Sequence, residues 1–137
     1  MILLDTTPLV ALCDGRDSHH GRAVRHLQAL TGSAFATCDA VITEACFHLG
    51  HPAQRQRLRA LLDELDVGVF PESADRAYRT AVFDWLEKYG DNEPDWADGC
   101  LAVLCGRDTA AQLWTYDSEF RTIWRRPDGT RIPLTAA

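Results

Sequence analysis

The chain has 137 residues, of which 46% are apolar and 25% are charged. These values are typical of one globular domain and exclude an extended disordered chain, so we expect a single domain over residues 1–137. There is no apolar run of about eighteen residues and no basic leader, which excludes a membrane span and a secretion signal and favours a cytoplasmic protein. The net charge of −6 disfavours a polyanionic partner unless a cation lies between the two.

The cysteines are odd in number, form no C-x-x-C pair and lie mostly in apolar stretches. This pattern favours reduced core residues over disulfides or a structural zinc site. The five are Cys13, Cys38, Cys46, Cys100 and Cys105.

The first half of the chain alternates short apolar runs with helical patterns. Residues 2–4 are typical of a buried strand that ends at Asp5, and Thr7-Pro8 favours a helix start with Thr7 as the N-cap. The apolar spacing further predicts a helix from Ser18 to before Gly32, a strand over 34–37, and helices over 39–49 and 53–65.

The second half continues this alternation. The stretch 96–105 is apolar almost all round, which predicts a helix in a central position. The tail 123–134 has two extended runs about a Pro-Asp-Gly turn, which favours a terminal hairpin. The other elements predicted here are a strand over 67–70, an amphipathic helix over 73–89, a polar loop over 91–94 and a strand over 112–116 that ends at Asp117.

Strands that alternate with helices predict parallel β-α-β units with right-handed crossovers. The expected fold class is therefore α/β, with one parallel sheet covered by helices on both faces.

Four acidic residues can meet at one edge of this sheet. Asp5 and Asp117 each follow a strand, and the carboxyl ends of parallel strands share one crevice. Asp98 lies in the first turn of the central helix, and Glu44 lies at the margin of another apolar helix face. Carboxylates that lie close together repel one another, so a hard divalent cation such as Mg²⁺ is the expected occupant.

Each acid also has a plain structural explanation. Asp5 and Asp117 could each cap the turn that follows, and Glu44 alone could be a solvated helix residue. Asp95 and Asp98 have the spacing of an N-cap and its partner three residues later. Taken singly, none of these residues indicates a metal site.

Together, the motifs that carry the acids resemble the PIN-domain nucleases, and among them the VapC toxins of bacterial toxin–antitoxin systems. They occur in the order and at the spacing of that family, and the resemblance covers nearly the whole chain. The motifs are residues 2–12 (ILLDTTPLVAL), 41–45 (VITEA), 95–102 (DWADGCLA) and 113–120 (LWTYDSEF).

The resemblance implies a three-layer α/β/α fold and a ribonuclease that uses Mg²⁺, with Mn²⁺ as a substitute. It makes Asp5 and Asp98 the principal catalytic metal ligands, completed by Glu44 and Asp117 directly or through water. The implied partners are an RNA substrate such as tRNA or rRNA, a cognate antitoxin protein and a second copy of the chain in a homodimer.

The resemblance also implies supporting residues near the acids. Thr6 and Thr115 stand where the family has small hydroxyl residues, and we expect them to form hydrogen bonds within the site. Asp95 matches an additional acid found in some members.

Two features depart from the family pattern or fall in its variable part. Gly99 stands where alanine is expected, at a helix cost of about 1 kcal/mol. His19 and His20 fall in a variable first loop, where surface or cap positions are expected rather than metal ligation.

Other functions remain open at this stage. A PIN nuclease of RNA processing would act without an antitoxin, and a non-catalytic PIN fold would lack some of the acids. A receiver-like signalling module would need paired acids near the first strand and a lysine after a late strand, whereas Asp5 stands alone and Lys88 lies in or at the end of a helix. A phosphoaspartyl phosphatase would need a second aspartate two residues after Asp5.

Arginine supplies thirteen of the fourteen basic side chains. Two groups could contact RNA or an antitoxin, or could simply be solvated. They are Arg55, Arg57 and Arg59, and Arg125 with Arg126.

Overall fold

The computed structural model describes residues 1–135 and forms an α/β domain. Its strands are β1 (Ile2–Leu4), β2 (Phe35–Cys38), β3 (Gly68–Phe70) and β4 (Gln112–Trp114). Its helices are α1 (Thr6–Cys13), α2 (His20–Ala29), α3 (Asp39–His48), α4 (Pro52–Glu64), α5 (Arg76–Lys88), α6 (Trp96–Arg107) and α7 (Glu119–Thr122), with a 3-10 turn over Gly90–Asn92.

All four strands are parallel and lie in the order β3-β2-β1-β4. Leu3 of β1 pairs with Ala36 of β2 on one side and with Leu113 of β4 on the other. These three side chains are at most 3% exposed, as expected where helices cover both faces of a parallel sheet. The predicted α/β class with a three-layer arrangement is confirmed.

The central position predicted for the helix over 96–105 is also confirmed. From Gly99 to Cys105 every residue of α6 is buried, and α6 packs against β2, β4 and α5. A Cβ atom added to Gly99 would lie 3.0 Å from Val82 Cγ1 and 3.1 Å from Trp85 Cε3. The glycine in place of alanine therefore permits the close approach of α5 and α6.

Several element boundaries differ from the sequence prediction, and at α1 and α5 the reason is that an aspartate provides the cap. Helix α1 begins at Thr6 with Asp5 as its N-cap, and Thr7 instead accepts a 2.9 Å hydrogen bond from the Tyr116 N–H. Helix α2 begins at His20 rather than Ser18, and α5 begins after the cap Asp75, whose carboxylate accepts the N–H of Tyr78.

The predicted terminal hairpin is reduced to isolated bridges. Arg125 and Arg131 form one antiparallel bridge, while Leu134 pairs in parallel with Leu113 of β4. The tail thus runs beside the sheet instead of pairing along its own length. No helix within residues 1–135 is long and apolar enough to cross a bilayer.

Candidate active site

Asp5 lies at the carboxyl end of β1 and is 6% exposed. Its main-chain N–H continues the pairing with β4 through the Trp114 carbonyl, at 3.1 Å. Its two carboxylate oxygens accept separate hydrogen bonds, Oδ1 from the Thr6 N–H at 2.7 Å and Oδ2 from the Thr115 hydroxyl at 2.6 Å. The pKa of Asp5 is raised to about 6, mainly because the residue is buried. The two hydrogen bonds lower this pKa, and the charges of Asp117 and Glu44 raise it.

Glu44 reaches the same region from α3. Its Oε2 accepts a 2.9 Å hydrogen bond from the hydroxyl of Thr6, the buried residue next to Asp5. Burial raises the pKa of Glu44 above its usual value, and the charge of Asp95 adds to this effect. The expected role of Thr6 as a hydrogen-bonding residue among the acids agrees with this contact.

Asp95 and Asp98 form the capping box at the start of α6. Asp95 Oδ1 accepts the Asp98 N–H at 2.8 Å, and Asp98 Oδ2 accepts the Asp95 N–H at 3.1 Å. Burial raises the pKa of Asp98 to about 8, and the charges of Asp95 and Asp5 contribute to the increase. Capping does not remove Asp98 from the acidic region, because Asp98 still interacts with Asp5.

Asp117 follows β4 by three residues and is half-buried. Its Oδ1 accepts the Glu119 N–H at 2.9 Å, and its own N–H donates to the Thr115 hydroxyl at 3.0 Å. Asp117 therefore caps the following turn, as one interpretation of the sequence held, and its charge also acts on Asp5.

Asp5 is the centre of this arrangement, since the charges of Glu44 and Asp117 act on it and its own charge acts on Asp98. The four acids nevertheless do not form one tight cluster. Within residues 1–135, one group of three possible metal-ligating side chains has its ligand atoms within 4.8 Å of one another. That group is Cys38, Glu72 and Cys100, and it contains none of the four acids. The assignment of Asp5, Glu44, Asp98 and Asp117 as one set of metal ligands therefore stays a prediction.

That other group, Cys38, Glu72 and Cys100, lies in the core, and sequence reasoning missed its acid. Glu72 is 1% exposed, and its carboxylate accepts the N–H groups of Asp39 and Ala40 at 3.0 and 2.8 Å. A negative charge at the positive end of α3 is favourable. Nothing in the local sequence around Pro71-Glu72 indicates that this acid folds inward.

All five cysteines are free, and four of them are buried, which agrees with their predicted core positions. Burial raises the pKa of the Cys13 thiol to about 11 and that of Cys105 to about 12. These two thiols stay protonated at neutral pH.

The histidines and arginines that the sequence analysis named make mostly structural contacts. His20 Nδ1 lies 2.7 Å from the Ala11 carbonyl oxygen, and the His19 ring stacks on Tyr116 at 4.8 Å. The arginine side chains donate to carbonyl oxygens, Arg55 to Cys46, Arg57 to Cys13, Arg125 to Arg121 and Trp124, and Arg126 to Thr109. Arg59 is exposed.

The four acids present oxygen donors only, on buried or half-buried carboxylates, and burial raises the pKa values of Asp5, Glu44 and Asp98. This donor set fits a hard divalent cation such as Mg²⁺ or Mn²⁺ and does not fit a soft, thiolate-preferring metal. Burial raises the pKa of Asp5 to about 6 and that of Asp98 to about 8, so a neighbouring positive charge would favour the ionised form of both.

Comparison with known proteins agrees with this fold. The family model of the PIN domain matches residues 2–124. A comparison with curated protein sequences gives no significant match. The crystal structure of VapC20 from Mycobacterium tuberculosis, described as a sarcin-ricin loop cleaving toxin, has a TM-score of 0.73 and 21% sequence identity to this chain, and the match covers 89% of this chain and 94% of that one.

The structural match shows that the two proteins share a fold, which confirms the VapC-like architecture expected from the motifs. The family match spans all four acids and nearly the whole sequence. The chain therefore belongs to the PIN domain family.

Proposed function

We propose that this chain is a Mg²⁺-dependent endoribonuclease, the toxin of a type II toxin–antitoxin system, which hydrolyses a phosphodiester bond in an RNA such as tRNA or rRNA. The observation that carries the proposal is the group of acids around Asp5 at the carboxyl edge of the sheet. Burial holds the pKa of Asp5 at about 6 and that of Asp98 at about 8. Keeping buried and half-buried carboxyl groups near one another costs stability, and binding a cation would offset that cost.

In this proposal, Asp5 and Asp98 are the principal ligands, and Glu44 and Asp117 complete the site directly or through water. A divalent ion bound there would supply an activated water and neutralise charge on the phosphate. A bound cation would also reduce the electrostatic repulsion between RNA and a protein with a net charge of −6.

The residues around the acids orient them before substrate arrives. The Thr115 hydroxyl and the Thr6 N–H fix both oxygens of Asp5, and the Thr6 hydroxyl fixes Glu44. The Asp95 carboxylate fixes the backbone N–H of Asp98, so we assign Asp95 a positioning role rather than a ligand role. Hydrogen bonds of this kind to metal ligands typically matter 10- to 100-fold for metal affinity or activity.

The proposal includes a small cognate antitoxin that blocks the acidic groove, a homodimeric toxin and action in the cytoplasm. The runner-up is a PIN nuclease of RNA processing that has no antitoxin. The two functions predict different effects of expression on a bacterial cell, because the toxin should arrest growth and the processing nuclease should not.

The test is inducible expression in a bacterial host. We expect the wild-type chain to arrest growth, Asp98→Asn expressed at the same level to be harmless, and co-expression of a small neighbouring reading frame to restore growth. Harmless expression of an RNA-cleaving wild type would contradict the toxin assignment and favour RNA processing. Growth arrest by Asp98→Asn would contradict the catalytic assignment.

A further inference from the structure

A pocket of about 140 Å³ lies beside the acidic residues. Two arginines line it, Arg22 from α2 and Arg121 from α7, and both are exposed. In a chain with a net charge of −6, two arginines that line one pocket form a local basic site. Neither residue is among the arginines that the sequence pattern singled out.

The pocket shares a wall with the proposed metal site. Thr115 and Asp117 both line the pocket, and the Thr115 hydroxyl donates to Asp5 Oδ2 at 2.6 Å. A group bound in the pocket is therefore separated from Asp5 by a single side chain. This places the pocket next to the scissile position of any substrate bound at the acids.

Arg22 is held in place by Tyr116. The guanidinium carbon of Arg22 lies 4.7 Å from the centre of the Tyr116 ring. The ring is fixed in turn, because the Tyr116 N–H donates to Thr7 Oγ1 at 2.9 Å and its hydroxyl oxygen accepts the Trp114 indole N–H at 3.1 Å. An arginine stacked on an immobile ring loses little further freedom when it binds an anion.

The guanidinium of Arg121 has no hydrogen-bond or ion-pair partner among residues 1–135. By contrast, Arg55 and Arg57 donate to main-chain carbonyl oxygens. Arg22 and Arg121 thus keep their donors available for a ligand. The single carboxylate in the pocket, Asp117, is outnumbered by these two positive charges.

We propose that this pocket binds an RNA phosphate adjacent to the scissile one, with Arg22 and Arg121 as its ligands, and so sets the register of the strand across the acids. The inference rests on the proposed ribonuclease function and deepens it. Guanidinium groups match the two unesterified oxygens of a phosphodiester, and the shared Thr115 side chain places the pocket next to Asp5. An acidic side chain of an antitoxin is the competing ligand.

The test measures binding apart from cleavage. The full-length chain carrying Asp98→Asn, which should not cleave, is titrated with Mg²⁺ present against a short fluorescein-labelled single-stranded RNA over a range of NaCl concentrations. The background protein is compared with the added changes Arg22→Gln, Arg121→Gln and Arg22→Lys. Arg76→Gln is the matched control, because Arg76 is exposed on α5 and does not line the pocket.

We expect Arg22→Gln and Arg121→Gln each to weaken binding roughly 5- to 10-fold and to reduce the slope of log K against log salt by about 1. Arg22→Lys should keep the slope, and Arg76→Gln should change neither quantity. An unchanged Tm for each variant shows that the fold is retained.

Three results would overturn the inference. They are no RNA binding by the background protein, equal losses for the pocket variants and Arg76→Gln, and pocket variants that bind the RNA as tightly as the background protein does. If the wild type cleaves no RNA while the pocket variants show the expected loss of binding, the proposed nuclease function fails and the phosphate site stands.

Discussion

The hydroxyl of Thr115 donates a 2.6 Å hydrogen bond to Asp5 Oδ2 across 110 positions of the sequence. The parallel pairing of β1 with β4 makes this contact possible, because Leu4 pairs with Trp114 and both strands then end at the same edge. The same hydroxyl accepts the Asp117 N–H. One threonine therefore links two of the acids on which the proposed chemistry depends.

Replacement of this threonine by valine tests its positioning role. Thr115→Val removes a bond that lowers the pKa of Asp5, so the Asp5 carboxyl should become harder to ionise. We expect Mg²⁺-dependent RNA cleavage to fall roughly 10- to 100-fold and the acidic limb of its pH profile to move to higher pH. Thr115→Ser keeps the hydroxyl and should retain most activity; equal losses in the two variants would contradict the role.

The raised pKa values predict how stability depends on pH without a metal ion. The pKa of Asp98 is about 8 in the folded chain, against 3.8 for an unperturbed aspartate. The folded state therefore binds more protons than the unfolded state, so stability falls as pH rises from about 4 and levels off above about 8. Asp98→Asn removes this contribution.

Thermal melts in chelator are the measurement for Asp98. At pH 8, Asp98→Asn should melt a few degrees above the wild type, by about 2–8 °C, and at pH 4 the two should coincide. Mg²⁺ at pH 8 should raise the Tm of the wild type more than that of the variant. If the Tm of the wild type in chelator instead rose above that of the variant between pH 4 and pH 8, the prediction would be contradicted.

Glu72 fixes the start of α3 and should contribute to stability. Glu72→Gln keeps the shape, but it removes the charge and replaces one acceptor oxygen by a donor that faces a main-chain N–H. We expect a loss of roughly 1–3 kcal/mol in the free energy of unfolding, measured in urea. Glu64→Gln is the control, because Glu64 is exposed on α4, and a comparable loss there would contradict a specific role for Glu72.

Gly99 should resist replacement although alanine is the better helix former. The added Cβ of Gly99→Ala would lie 3.0 Å from Val82 Cγ1 and 3.1 Å from Trp85 Cε3. We expect overpacking of about 1–3 kcal/mol to exceed the helix gain of about 1 kcal/mol, so that the variant is net destabilised. Gly21→Ala in α2 would meet only the flexible Arg25 side chain, at 3.4 Å, and should be neutral or stabilising in the same urea titration.

Local pattern was sufficient to predict the alternation of strands and helices, because buried strands and apolar helix faces leave a periodic trace in the sequence. The edge shared by Asp5 and Asp117 followed from the parallel direction of the strands, because the carboxyl ends of parallel strands lie at the same edge of a sheet. Helix starts were less predictable, since several polar residues compete for each cap. Asp5 rather than Thr7 caps α1 because its carboxylate accepts the first N–H of the helix.

Contacts between residues far apart in the sequence produce no periodic pattern and could not be predicted in this way. The inward turn of Glu72 depends on where α3 begins, more than thirty residues earlier. Arg22 of α2 and Arg121 of α7 lie about a hundred residues apart in sequence but line the same pocket. The sequence also predicted one cluster of four acids, whereas the structure joins them through Thr6, Thr115 and the start of α6. The hydrogen-bonding residues, rather than the acids alone, determine the geometry of the site.

The most direct test of the proposed function is the metal dependence of RNA cleavage by the purified wild type, Asp5→Asn and Asp98→Asn, each shown by circular dichroism to be folded. We expect the wild type to cleave RNA with Mg²⁺ or Mn²⁺ and to stop when chelator is added, while both folded variants are inactive. Cleavage by the wild type in excess chelator, or undiminished cleavage by either variant, would contradict the proposed function.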